Sequence, residues 1–208
     1  RRFLFGRFLA RVFHDPAAPW VLKGGTAMLA RVHDARTTKD VDLLHQLGDL
    51  DAAVKALAAA AKIDLEDHCR FVVAGVETNV GGQPQVDGCR VTIEATVGTV
   101  KRDTFGVDLV TGSLMTGAPE SVKDVVLNLR GLVSPTIRLY PVVDHIADKL
   151  CATQAMYGAA GDLPSSRVRD LVDLVVLARS QDVDGSALIA AVRGEWTHRG
   201  LPGDPVFA

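Results

Sequence analysis

The chain has 208 residues, 48% of them hydrophobic and 23% charged, with a formal net charge of −2. That composition excludes a disordered chain and leaves room for one or two small domains with a true core. The near-neutral balance carries no global nucleic-acid signature, so any such contact must come from a local patch.

Arg1 to His14 reads as an amphipathic helix. Phe3, Leu4, Phe8, Leu9, Val12 and Phe13 pack, while Arg1, Arg2, Arg7 and Arg11 stay out. The basic stripe is either a solvated face or a contact for an RNA backbone. Asp15-Pro16 ends the helix. Trp20-Val21-Leu22 is a short strand, broken by Gly24-Gly25, where backbone can approach a ligand with no Cβ in the way. Thr26 to Val32 reads as a helix whose free N–H groups and positive dipole end suit phosphate. Thr26 either caps that helix or hydrogen-bonds a phosphate oxygen. No Gly-Lys-Ser/Thr and no Gly-x-Gly-x-x-Gly follows, which rules out a Walker loop and a dinucleotide fingerprint.

Asp40-Val41-Asp42-Leu43-Leu44 alternates as a strand does. Asp40 and Asp42 then project to one face, about 7 Å apart at the backbone, and Thr38 joins them. Two adjacent anions repel unless a positive charge sits between them. Hydrated Mg²⁺ suits the place, being hard and content with one or two carboxylates plus phosphate oxygens. The plainer alternative is a solvated strand face. Together, Lys23-Gly24-Gly25-Thr26 through Thr38 to Leu44 read as a triphosphate cradle beside a metal platform.

Gly48-Asp49-Leu50-Asp51 opens an Ala-rich helix through Ala61, and Phe71-Val72-Val73 is a strand. Glu77 to Gly88 is a polar loop or hairpin. Arg90 to Val97 alternates as a half-exposed strand, Thr99 to Thr104 is a charged turn, and Phe105 to Val110 is the next strand. On that strand Asp108 lies on the face opposite Val107 and Leu109, a costly place for an acid that is neither paired nor exposed. Ser113 to Leu132 reads either as a helix opened by Pro119-Glu120-Ser121 or as an edge strand at Val125-Val126-Leu127. The remainder reads as helical: Val142 to Met156 after Pro141, a helix from Arg167 to Ala178 capped by Pro164-Ser165-Ser166, and Asp184 to Trp196.

Cys69, Cys89 and Cys151 lack metal spacing and read as reduced, mostly buried thiols of a cytoplasmic protein. No apolar run reaches ~18 residues and no signal peptide is visible, so no membrane span is expected. The start without Met and the stop at Val206-Phe207-Ala208 suggest a piece of a longer protein.

Gly24-Gly25-Thr26, a helix, an Arg-x-Thr-x-Asp-x-Asp run ending at Asp42 and an apolar tail resemble the polymerase-β-type nucleotidyltransferases. Within that fold the chain resembles the AbiEii/AbiGii toxin group of bacterial type IV toxin–antitoxin systems, MenT-like toxins included. The likeness runs from about Val21 to about Ala178 in four separated blocks. It implies an α+β fold with a twisted mixed sheet, a nucleotidyltransferase core over 1–132 and a helical C-terminal part over 133–208. It makes Asp108 a third metal carboxylate that also draws the proton from an attacking hydroxyl. The block His145-Ile146-Ala147-Asp148-Lys149-Leu150 is similar to a lysine-bearing helix of the family, which points Lys149 at the triphosphate. Arg169-Asp170-x-x-Asp173-Leu174 matches a last motif, with Asp170 either aiming Lys149 or touching nucleotide and Asp173 orienting Arg169 or anchoring the helix.

The implied chemistry is Mg²⁺- or Mn²⁺-dependent transfer of NMP from an NTP, held at Gly24, Gly25 and Thr26, to the 3′ end of tRNA. Translation block and growth arrest would follow, countered by a cognate antitoxin. Thr38, beside the two aspartates, is a candidate regulatory phosphorylation site for an antitoxin with kinase activity. The alternatives are nucleotidylation of a protein hydroxyl, as an AMPylator does, and a non-catalytic module that only docks a partner.

Overall fold

Period-two alternation builds the central sheet, and its consequence is one apolar face and one charged face. The computed structural model describes residues 1–32, 38–78, 86–123, 131–132, 134–157 and 162–206. They fall into two units: the described residues of Arg1–Gly81, Val86–Ser113 and Glu120–Leu139 in one, and those of Leu114–Pro119 and Tyr140–Ala208 in the other.

The first unit runs α1 (Arg2–Val12), β1 (Trp20–Lys23), α2 (Gly24–Arg31), β2 (Val41–His45), α3 (Leu50–Ala61), β3 (Cys69–Thr78), β4 (Asp87–Val97), β5 (Val100–Thr111), β6 (Glu120–Lys123) and β7 (Thr136–Leu139). Among the described residues its strands form one mixed sheet in the order β3-β4-β5-β2-β1-β7-β6. β2 lies parallel to β5 and β1 parallel to β7, while the other neighbours are antiparallel. The expected α+β architecture with a mixed sheet is the one observed.

Val41, Leu43, Val91, Ile93, Phe105, Val107 and Leu109 point to the buried face and join Phe5, Phe8 and Leu57 of α1 and α3 in one cluster. Edge-to-face contacts tie it: Phe5 to Phe105 at 4.9 Å and Phe8 to Phe71 at 5.5 Å between centroids, worth roughly 0.5–1.5 kcal/mol each beyond their burial. Asp49 caps α3 by accepting from the Ala52 N–H.

Several local expectations are corrected. Arg7 and Arg11 are buried, not solvated. They meet Asp67 through Arg7 Nε at 2.5 Å and Arg11 Nη2 at 2.7 Å, and Arg11 also donates to the Cys69 carbonyl. α1 therefore uses part of its basic stripe as internal anchors. The charged stretch after Thr99 is already strand, since β5 starts at Val100. Between Ser113 and Leu132 the described order is an edge strand at Glu120–Lys123, and Val125-Val126-Leu127 lie outside the described residues. Part of the Glu77 to Gly88 loop also lies outside them; its described flanks are strand, through Thr78 and from Asp87. The residues after 132 are not all helical: β7 adds a strand to the sheet beside β1.

The second unit holds α4 (Val142–Gln154), a two-stranded ribbon of β8 (Met156–Tyr157) and β9 (Leu163–Pro164), α5 (Val168–Ser180) and α6 (Gly185–His198). Ala147 and Cys151 pack on Ala191 and Val192. Asp144 accepts from the backbone N–H of Thr116 and Gly117, which joins the 114–119 segment to α4. All three cysteines are buried and free. No helix among the described residues is long and apolar enough to cross a membrane.

Candidate active site

The charged face of the sheet carries one row of opposed residues. Lys23 of β1 is the Cα partner of Asp42 on β2, Asp42 of Asp108 on β5, and Asp108 of Arg90 on β4. Directly opposed residues project together, so the row reads positive, negative, negative, positive. Two carboxylates on adjacent parallel strands would repel, and the flanking cations offset that.

Asp40 lies in a bend just before β2. Arg90 joins it to the row: its Nη1 donates to Asp108 Oδ1 at 2.8 Å and its Nη2 to Asp40 Oδ1. The side chains are about one-third exposed, 34% for Asp40 and 28% for Asp108. Burial pushes the Asp108 carboxyl up; Arg90 draws it back down and Asp40 adds to the rise, leaving it above the usual value.

The glycine turn lies against the same acids. Gly24 has φ +56°, and a Cβ there would overlap the Asp42 carboxyl and stand 2.8 Å from its Cβ. The Gly25 N–H donates to Asp42 Oδ2 at 3.2 Å. Thr26 does not cap the helix, which starts at Gly24 with Lys23 as N-cap. Its buried hydroxyl donates to the Asp40 carbonyl at 3.0 Å, as does that of Thr38. Both threonines therefore fix the backbone from which Asp40 projects. The arginine of the Arg-x-Thr-x-Asp-x-Asp run lies outside the described residues.

Among the described residues no three His, Cys, Asp or Glu side chains are already gathered as a metal cage. The donor chemistry nevertheless fits a hard divalent cation: the acids are all carboxylates, and a cationic group already lies between Asp40 and Asp108. Lys23 Nζ donates to Ser113 Oγ at 2.9 Å beside this row.

In the second unit Lys149 and Asp170 are brought together. Lys149 Nζ donates to Asp170 Oδ1 at 2.9 Å and to Asp173 Oδ2 at 2.8 Å, with only 6% of its side chain exposed. Burial lowers its pKa, but the two carboxylates outweigh that and leave it raised, so the amine stays charged. Asp173 is a second holder of the lysine, not a partner reserved for Arg169.

A sequence profile described as "Nucleotidyl transferase AbiEii toxin, Type IV TA system" matches residues 7–207. The chain belongs to this AbiEii family. Its members are nucleotidyl transferase toxins of type IV toxin–antitoxin systems. The structure is similar to MenT4, a nucleotidyltransferase toxin from Mycobacterium tuberculosis H37Rv, with a TM-score of 0.60 and 18% identity over 99% of this chain and 70% of that one. It is also similar to a putative nucleotidyltransferase from Helicobacter pylori, with a TM-score of 0.51 and 16% identity over 94% and 79%. These likenesses place the fold among the polymerase-β-like nucleotidyltransferases. No curated protein matches the sequence.

Sequence reasoning gave no separate role to Lys23 of this AbiEii chain and missed Arg90. Lys23 precedes the glycines and, opposite Asp42, could have been found by pairing β1 with β2. Arg90 stands inside a stretch correctly read as strand, but its partner depends on the hairpin register.

Proposed function

We propose that this AbiEii chain transfers a nucleoside monophosphate from an NTP to an RNA hydroxyl, with the 3′ end of tRNA as acceptor, and so blocks translation in the cytoplasm. The observation that carries the reading is the clustering of Asp40, Asp42 and Asp108 beside the Gly24-Gly25 helix mouth. Asp40, Asp42 and Asp108 are the residues that would hold Mg²⁺ or Mn²⁺. Such an ion supplies Lewis-acid stabilisation of charge on phosphate oxygens when bound.

The chain's own residues do the rest. The backbone amides at the start of α2, that of Thr26 among them, receive the β- and γ-phosphates, while the Thr26 hydroxyl holds the Asp40 carbonyl. A carboxylate whose pKa is raised is a better proton acceptor, which suits Asp108 to drawing the proton from the attacking hydroxyl. The hydroxyl oxygen bonds to the α-phosphorus, the bond to the bridging oxygen breaks, and pyrophosphate leaves. Lys149, kept charged by Asp170 and Asp173, is a compact cation of the kind that suits phosphate.

Control by the cognate antitoxin fits Thr38, which stands two residues before Asp40 and donates its hydroxyl to the Asp40 carbonyl. Phosphate there adds about −1.5 to −2 charges beside the acids, against NTP entry. Mass spectrometry after co-expression with the neighbouring gene tests it; modification elsewhere, or none, removes Thr38 from the account.

Incubation of the purified chain with each labelled NTP and total tRNA tests the activity. Label should enter RNA and be lost with EDTA and in Asp42→Asn. Label in a protein instead would make the chain a protein nucleotidylase, and no label in either would leave a docking module.

A further inference from the structure

Arg90 has a built seat. Its guanidinium lies over Gly106, where a Cβ would stand 2.6 Å from Cζ and 2.8 Å from Nε. Gly106 is two residues before Asp108 on β5, hence on the same face. β4 fixes the root of the side chain, because Arg90 is the Cα partner of both Asp108 and Glu77. From this seat one guanidinium reaches Asp108 and Asp40 with two different nitrogens.

We propose that Arg90 is a built-in counter-cation that holds the place between Asp40 and Asp108 until a divalent cation displaces it. This rests on reading those two aspartates as metal carboxylates. A surface arginine that merely neutralised the acids would need no gap beneath it. Here the sheet omits a side chain at Gly106, and the guanidinium occupies the space where its Cβ would be. A dication attracts two carboxylates more strongly than one guanidinium does, but it must first compete with the two charge-assisted hydrogen bonds. The two acids are therefore half neutralised in the resting chain, and cation occupancy is set by competition. Because Arg90 is itself about one-third exposed, the competition is modest, on the order of tenfold in affinity.

Titration of the full chain with Mn²⁺, followed by the loss of the free-ion EPR signal, tests this without any turnover. Arg90→Gln removes the competitor. Gly106→Ala keeps its charge and pushes the guanidinium off the seat, and the atoms displaced are the far end of a flexible side chain, so the fold is kept. Both variants should bind Mn²⁺ about tenfold tighter than the parent, and Asp108→Asn should bind it more weakly. Unchanged affinity in Arg90→Gln and Gly106→Ala, with Asp108→Asn still weakened, would overturn the counter-cation while leaving the metal reading intact. Tightening in Arg90→Gln alone would reduce the effect to net charge and overturn the seat. Absence of binding in every protein would overturn the metal reading and this inference together.

Discussion

Gly24→Ala separates the two reasons for a glycine at the mouth of α2. The residue has φ +56°, which costs an L-residue roughly 1–2 kcal/mol. The added methyl would also overlap the Asp42 carboxyl and come within 2.8 Å of its Cβ. Relief requires Asp42 to leave the Gly25 N–H, and such overpacking costs roughly 1–3 kcal/mol more. The sum is about 2–5 kcal/mol, or on the order of 10 °C in melting temperature for a chain of this size. Gly98→Ala is the control: its φ is +61°, but nothing lies within 4 Å of a Cβ there. It should show the backbone cost alone and retain nucleotidyl transfer. Gly24→Ala should lose more stability and at least about 10²-fold in transfer rate, since a carboxylate misplaced by about 1 Å is enough for that. The assays are thermal unfolding and transfer of labelled NTP to RNA. Equal melting temperatures and equal rates for the two variants would show that closeness of Gly24 to Asp42 does no chemical service.

Asp67→Asn should cost about 3–5 kcal/mol, because it takes the carboxylate charge from between two buried guanidinium groups, Arg7 and Arg11. Burial raises the Asp67 carboxyl, but hydrogen bonds from Arg11, Arg7 and the Cys69 N–H outweigh it and hold it well below the usual range. Its contribution is therefore present above about pH 4 and lost as pH falls through the depressed value, and the acid limb of urea-unfolding stability against pH should flatten in the variant. Lys149 has the opposite sign: its raised pKa gives stability that is full below about pH 10.4 and is lost as pH rises through the folded value. Asp173→Asn lowers that folded value, so the alkaline loss should be smaller and complete at lower pH, as circular dichroism across pH 9–12 would record.

The apolar alternation of β2, β4 and β5 made the sheet legible, because period two survives small errors in strand ends. It also brought Asp42 and Asp108 to the outer face, as read. Other features depended on partners that no local pattern names. Arg7 and Arg11 looked solvated because Asp67, which buries them, stands far along the chain in a turn. β7 is four residues long and pairs in parallel with β1, so neither a hairpin turn nor a long alternation announced it. Arg90 was hidden by a bulge. From the turn, Val97 pairs with Val100 and Thr96 with Lys101, and that count would set Arg90 opposite Val107. The register shifts between Ala95 and Thr96, and Arg90 meets Asp108 instead.

Asp67 and Asp108 show how one kind of pair can do two jobs. Each is an aspartate held by arginine in the first unit. Asp67 is fully buried at its side chain and collects two guanidinium groups and a backbone N–H. Asp108 keeps 28% exposure, takes one arm of a shared Arg90, and has Asp40 for a neighbour. Its carboxyl is accordingly shifted up where that of Asp67 is shifted down. An acid so weakly compensated adds little to folding, since Arg90 keeps Asp40 when Asp108 is neutralised. Asp108→Asn in EDTA should therefore unfold within about 1 kcal/mol of the parent, yet lose nucleotidyl transfer by at least about 10²-fold. If Asp108→Asn proved as destabilising as Asp67→Asn, the row on the sheet would be a structural network, and its acids would be there for the fold and not for phosphate chemistry.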